Sequence, residues 1–288
     1  MDTVGASSHE ALEAAARLAY ELAPRLCHAR ATRESCAWLH AFWPCLRIIG
    51  LAASPDRHAS FYAAAFAEIG ADARVLISGA ADHGMLARLL STRPAARVTV
   101  IDTCDTPLAL NRWHAERAGV AIETQRTSVL DYAGAEPFDA ICSHSFLGQF
   151  SHAERPRLVA AWRGLLRAGG RVIISHPLRP LDGEQPNRFT PQQERLFRER
   201  LRDGTPHLSA LLGVGAADIL RLTEAYLRAR YGYPVHSHDE IAAYFEAGGF
   251  ALERLDCKLA PKDAPPGSGG PGLRNPAVQY AYVIASRR

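Results

Sequence analysis

Residues 74–84 read RVLISGAADHG, and this stretch decides the fold. The run from Ala73 to Ser78 is short, apolar and partly β-branched. It ends in a small-residue turn, Gly79-Ala80-Ala81-Asp82-His83-Gly84, and passes straight into a helical pattern. A small-residue turn between strand and helix lets backbone N–H groups approach a ligand, and the helix N-terminus behind them favours negative charge. Three further runs of the same kind follow: RVTVID at 97–102, FDAICSHS at 138–145 and GRVIISHP at 170–177. Helical stretches at 84–92, 106–118 and 152–167 separate them. Short apolar strands alternating with helices predict a doubly wound parallel sheet covered on both faces.

The chemistry belongs at the carboxyl ends of these strands, where ligands of such sheets sit. Asp102 closes the second run, 18 residues after Gly84, and a carboxylate there can accept both ribose hydroxyls of an adenosine. Thr103 stands beside it. Ser128-Val129-Leu130-Asp131-Tyr132 precedes the third run and brings Leu130 and Asp131 toward an adenine, whose amino group an acid can accept. The candidate cofactor contacts are therefore Gly79, Ala80, Ala81, Asp82, Asp102, Thr103, Leu130, Asp131, Ser143 and His144. Taken singly, Asp102 reads equally well as a helix N-cap and Asp131 as a turn former. His144 and His176 both end strands, and histidine is the usual general base near neutral pH, so both are candidate catalytic residues. Arg179 reads as a rim charge or as a clamp for a substrate carboxylate.

From Arg74 to about Pro180 the chain resembles the class I S-adenosylmethionine-dependent methyltransferases. RVLISGAADHG stands where that family has its glycine-rich first motif. VIDTC supplies the acidic end of the second strand, Asp102, and SVLDY supplies Asp131. FDAICSHSFLGQF fills the fourth strand, and LLRAGGRVIIS resembles the family's helix, glycine pair and fifth strand. The resemblance implies a seven-stranded Rossmann-like sheet, S-adenosyl-L-methionine as cofactor and a small-molecule acceptor. The sequence departs from it in the first motif. The family's acidic residue two before the first glycine is Ile77 here, and its second and third glycines are Ala81 and His83. Asp82 is the nearest substitute for the missing acid. That departure keeps a second reading open, a cyclase or lyase resembling the azetidine-2-carboxylate synthases, which would release methylthioadenosine. A non-catalytic cofactor-binding module is a third. Gly79-x-Ala81-x-x-Gly84 also fits a relaxed NAD(P) fingerprint, which the downstream glycine pair and terminal strands disfavour.

Outside the core, residues 1–70 read as a helical cap. Ser7 and Glu10 have capping-box spacing, a second helix covers about 32–43, and Ser54-Pro55-Asp56 opens a third. Residues 71–180 form the cofactor-binding core. Residues 181–235 read as a helical lid, with helices starting at Thr190-Pro191 and near 215. Residues 236–288 supply a last helix and two strands, about 251–259 and 278–285, around the Gly- and Pro-rich loop 261–276. The cap aromatics Tyr20, Trp38, Phe42, Trp43, Phe61 and Tyr62 fall at helical spacing and read mostly as core, with one or two able to face a sulfonium.

A formal net charge of +3 with no basic stripe argues against a nucleic-acid partner, and no apolar run is long enough to span a membrane. The N-terminal residues do not read as a signal peptide, so a cytoplasmic monomer or homodimer is expected. Six cysteines, with no CxxC pair, read as buried reduced thiols, and no metal is expected. The run 236–240, His-Ser-His-Asp-Glu, looks metal-like but reads better as a helix N-terminus.

Overall fold

The computed structural model describes residues 3–28, 35–52, 54–180, 183–259 and 279–288. Four helices come first: α1 (Thr3–Leu26), α2 (Ala37–His40), α3 (Trp43–Ile48) and α4 (Ala59–Ala67). Strands and helices then alternate through β1 (Arg74–Ser78), α5 (Gly84–Leu90), β2 (Arg97–Asp102), α6 (Asp105–Arg117), β3 (Ile122–Arg126), β4 (Phe138–His144), α7 (Arg155–Leu165) and β5 (Leu166–Pro177). Two long helices interrupt, α8 (Pro191–Leu212) and α9 (Ala216–Ala229). The chain closes with α10 (His238–Ala247), β6 (Phe250–Leu259) and β7 (Gln279–Arg287).

The seven strands form one sheet in the order β3-β2-β1-β4-β5-β7-β6. Neighbours from β3 to β5 are parallel, and β7 runs antiparallel to both β5 and β6. Alternate strand residues face opposite sides, and each side finds its own helices. Val75 and Ile77 pack with Phe61, Phe66 and Leu86 of α4 and α5. Leu76, Ile141 and Val172 pack on the other face with Trp162 and Phe245 of α7 and α10. Burial on that scale stabilises by about 1.5–3 kcal/mol per large apolar side chain. The strand order reverses direction between β1 and β4, and that switch point opens a crevice at the carboxyl edge.

The cap and the insertion share a single apolar layer. Phe42, Leu46 and Leu51 from the cap pack with Phe197, Leu208, Ile219 and Tyr226 from α8 and α9. Thr190 caps α8 in a full capping box with Gln193, and Ser237 caps α10 by accepting from the Glu240 N–H.

Several sequence expectations shift. β3 was not foreseen as a strand; it lies at the sheet edge, and its polar residues IETQR alternate between half-buried and exposed. Helix α1 reaches back to Thr3, so Ser7 lies inside it and is not its cap. Ser54 opens a 3₁₀ turn, Pro55–His58, ahead of α4. Cys257 is exposed rather than buried. The expected second cap helix resolves into α2 and α3, and residues 32–34 of its range lie outside the described residues, as does the loop 261–276.

Candidate active site

The glycine turn is fixed by its own backbone. Gly79 has φ +75°, a left-handed conformation that suits glycine, and a Cβ there would stand 2.3 Å from Cε2 of Phe146. The next residue ties the turn to β2: the Ala80 N–H donates to Asp102 Oδ2 at 3.0 Å, and the Cys104 N–H donates to Oδ1 at 2.8 Å. A carboxylate has about four acceptor sites, so two protein bonds leave room for two ligand hydroxyls. Burial raises the Asp102 pKa to about 6, against the nearby His40 ring and the two N–H bonds, which lower it. Thr103, just past β2, and Asp131 are exposed, and Leu130 is half-buried.

Asp82 does not offer an open carboxylate. Its side chain is 4% exposed, and Arg47 Nη1 of α3 reaches its Oδ2 at 2.6 Å. Oδ1 accepts the N–H of Gly84, the first residue of α5, at 2.8 Å. Arg47 also donates through Nη2 to Asp56 at 2.6 Å, while its Nε is buried with no partner. Burial pushes Asp82 up and Arg47 down, yet mutual attraction prevails in both: the carboxyl is held below its ordinary range and the guanidinium above. This pair locks the cap onto the glycine turn. Ile77, where the resemblance would place an acid, is fully buried in the core.

At the end of β4, Ser143 and His144 part ways. The Ser143 side chain is fully buried and donates to the Ser78 carbonyl at 2.7 Å, so it serves the sheet rather than the crevice. His144 lies with Nδ1 2.9 Å from Ser175 Oγ and Nε2 3.1 Å from Ser145 Oγ. Its ring neighbours His58 at 5.1 Å and Tyr280 at 6.5 Å. Burial, then the His58 and His176 rings, hold its pKa well below the usual value. Ser145 adopts φ +54°, a strained conformation for a non-glycine residue at this sheet edge.

His176, next along β5, differs. It is 3% exposed, its Nδ1 is buried with no partner, and burial followed by Arg155 and Arg179 keeps it neutral near pH 7. It lines a cavity at the sheet's carboxyl edge with Ser145, Trp43 and Leu51 of the cap region, and Tyr226 and Tyr233 of the insertion. Arg179 lines the same cavity, and its N–H donates to the Val235 carbonyl at 2.7 Å. Both added segments therefore wall the space beside the strand ends.

Sequence reasoning missed Arg47 and His58. A single arginine inside the apolar stretch WPCLRIIGLAA, 43–53, was the available signal for the first. His58 gave none: tertiary packing brings it to Tyr282 Oη at 3.0 Å. It also missed a convergence. Although no metal was expected, Cys27, Cys36, His40 and Cys104 each place a ligand atom within 4.8 Å of the others.

Residues 79–170 match the family model described as a methyltransferase domain. No curated protein matches the sequence. Many solved structures match, and three among them share the fold at low identity. The S-adenosylmethionine-dependent methyltransferase SibL, in its apo form, is 14% identical with a TM-score of 0.51, over 93% of this chain and 61% of that one. The pyocyanin biosynthetic protein PhzM is 15% identical with a TM-score of 0.50, over 94% and 62%. TehB from Haemophilus influenzae is 13% identical with a TM-score of 0.51, over 78% and 61%. The chain thus spans about three fifths of the length of each.

Proposed function

We propose that this chain, a member of the class I S-adenosylmethionine-dependent methyltransferase superfamily, transfers a methyl group from that cofactor to a small-molecule nucleophile. The observation that carries the reading is His176: a neutral imidazole with an unpartnered Nδ1, lining a cavity at the end of β5, two strands from the glycine turn after β1. The residues present fit the cofactor. Asp102 keeps two acceptor sites for ribose hydroxyls, the left-handed Gly79 leaves the turn without side-chain bulk, and Leu130 and Asp131 border an adenine position.

The bound cofactor supplies an activated methyl on a sulfonium. The protein's part is to hold, orient and exclude water. Asp102 holds the ribose and fixes register along the crevice. The Arg47–Asp82 pair keeps the cap seated, so the turn keeps its shape. Asp82 thus acts as a positioning residue rather than a direct contact. Ser143 likewise supports β4 from within the core. His176 takes the proton that the acceptor's O–H, N–H or S–H loses on attack, and its Nδ1 is the available atom. His144, engaged at both nitrogens, orients Ser145 and Ser175. The acceptor is read as a small molecule, because the cavity beside the strand ends lies between residues of the cap and of the insertion. No helix among the described residues is long and apolar enough to cross a membrane. We place the protein in the cytoplasm, because six cysteines without a CxxC pair read as reduced thiols.

The test is incubation with S-adenosylmethionine, alone and with panels of phenols, amines and thiols, followed by mass spectrometry. S-adenosylhomocysteine that forms only with an acceptor supports methyl transfer. Methylthioadenosine accumulating without acceptor, and lost in Asp102→Ala, overturns it in favour of a cyclase or lyase. Binding with neither product above the blank overturns catalysis altogether.

A further inference from the structure

Three of the six cysteines and one histidine meet at a point the methyl-transfer reading does not use. Cys27 ends α1, its N–H still bonded to the Ala23 carbonyl at 2.9 Å. Cys36 is the N-cap of α2 and His40 its last residue, one helical turn on, so the two side chains share a face. Cys104 is the N-cap of α6, two residues past Asp102. These three segments arrive from different parts of the chain and converge with one donor atom each inside 4.8 Å.

The spacing inside the group resembles a coordination sphere more than thiol packing. Cys27 Sγ lies 3.3 Å from His40 Nδ1 and 3.4 Å from Cys104 Sγ. It is also 3.0 Å from Thr106 Oγ1. A thiol has one proton and cannot donate to all three at once. Tetrahedral zinc, with bonds of about 2.3 Å to sulfur and 2.0–2.1 Å to nitrogen, spaces two sulfurs by about 3.8 Å and sulfur from nitrogen by about 3.6 Å. The two separations, 3.3 and 3.4 Å, are each a few tenths of an ångström shorter, so an ion would need only a small outward shift of the donor atoms. Three thiolates and one imidazole also make a closed structural zinc set, with no position left for water. Cys27, His40 and Cys104 are buried, and Ala23, Ala41, Tyr20 and Leu222 form an apolar shell around the group. Thr106 is placed to donate to a thiolate at Cys27, and Cys104 sits at a helix N-terminus, which favours the thiolate form.

We propose that Cys27, Cys36, His40 and Cys104 bind one zinc ion that joins α1 and α2 to the turn between β2 and α6. Loading releases three thiol protons to solvent and takes the imidazole neutral, so the centre carries one net negative charge. The role is structural. Because the Cys104 N–H also holds Asp102, the ion would fix the loop that carries the ribose carboxylate.

The experiment uses tag-free full-length protein purified with zinc present and desalted. Elemental analysis should give about one zinc per chain, and chelation should lower the melting temperature. Replacement by cobalt(II) should produce the intense visible bands and sulfur charge-transfer absorption of a tetrahedral thiolate site. Cys36→Ser, the half-buried ligand and the variant most able to fold, should weaken zinc binding by more than about tenfold and change the cobalt spectrum. Cys257→Ser, on exposed β6, should alter neither. Zinc content and cobalt spectrum unchanged in Cys36→Ser overturn the proposal. So does a metal-free protein after zinc loading, or a disulfide among Cys27, Cys36 and Cys104 in the reduced preparation. None of these readouts depends on transferase activity, so they stand or fall apart from that reading.

Discussion

Replacing Arg47 by methionine tests whether the cap is held to the glycine turn by charge. Methionine keeps much of the apolar stem and removes the guanidinium. Asp82 then stays 4% exposed with only the Gly84 N–H as donor. Removing one partner of a buried ion pair costs about 3–5 kcal/mol, because the remaining charge is uncompensated. The Arg47–Asp56 contact adds little, since Asp56 is 43% exposed and exposed pairs contribute under about 1 kcal/mol. At roughly 2 °C per kcal/mol for a chain of this size, Arg47→Met should melt about 6–10 °C lower. Asp82→Asn should cost less, because Oδ1 still accepts from Gly84 and Arg47 keeps Asp56. The double variant should recover much of the loss, since no charge is then stranded. Calorimetric melting gives the stability cycle, and titration calorimetry gives cofactor affinity for the same four proteins. Arg47→Met should bind cofactor more weakly and the double variant better than it does. Single-variant losses that add within about 0.5 kcal/mol, or an Arg47→Met cost below about 1 kcal/mol, would refute the lock.

Other residues make separate predictions. Asp102→Ala should weaken S-adenosylmethionine binding by about 1.5–3 kcal/mol, or roughly 10–150-fold, and an unchanged dissociation constant would exclude the ribose contact. Gly79→Ala must carry φ +75° and bring a Cβ within 2.3 Å of Phe146, so it should lose stability beyond the 1–2 kcal/mol or so of the left-handed backbone alone. Adding Phe146→Ala should restore only the steric part, and a Gly79→Ala melting curve matching wild type would defeat the argument. His176→Gln should lower kcat by about 10²–10⁴-fold with cofactor affinity unchanged, whereas a retained kcat removes it as base. Burial holds His58 and His83 near pKa 4, against 6.5 when unfolded. Between those values the unfolded chain binds more protons, so stability should fall as pH drops from 6.5 to 4, by up to about 3 kcal/mol per ring. Urea midpoints that stay flat across that window would show the rings to be solvated.

Strands buried on both faces announce themselves by continuous apolar runs, and β1, β2 and β4 lie within such runs, whereas β5 starts at Leu166, four residues before its run and inside the stretch read as helix. β3 has no such signature, because an edge strand with Glu123, Gln125 and Arg126 exposed looks like loop to any reading based on hydrophobicity. The helix starts at Thr190 and Ser237 were legible because capping is local chemistry, with donor and acceptor three residues apart. The place of Asp102 at the end of β2 was legible for a similar reason, since the apolar run before it marks the strand. Asp82 was not, since a carboxylate after a glycine turn reads as a ligand contact until the arginine from another helix is known. Ser143 fell on the core side of β4, a matter of one residue's register in a strand whose end faces the crevice.

The cysteines make the same point about distance in sequence. A zinc set is usually recognised by pairs two to four residues apart, and here only Cys36 and His40 approach that, as an i, i+4 pair on one short helix. Cys27 precedes Cys36 by nine residues, and Cys104 follows His40 only after α3, α4 and the whole first βαβ unit. What joins them is packing of α1 along α6, where Ala15 and Ala19 close on Leu110 and leave the helix end beside the Asp102 turn. Small residues on α1 permit that close approach, and the approach is what turns unrelated thiols into neighbours. A bulky substitution at Ala19 should therefore open the cysteine group and disturb Asp102 together, which ties the metal proposal and the cofactor site to a single contact between the cap and the sheet.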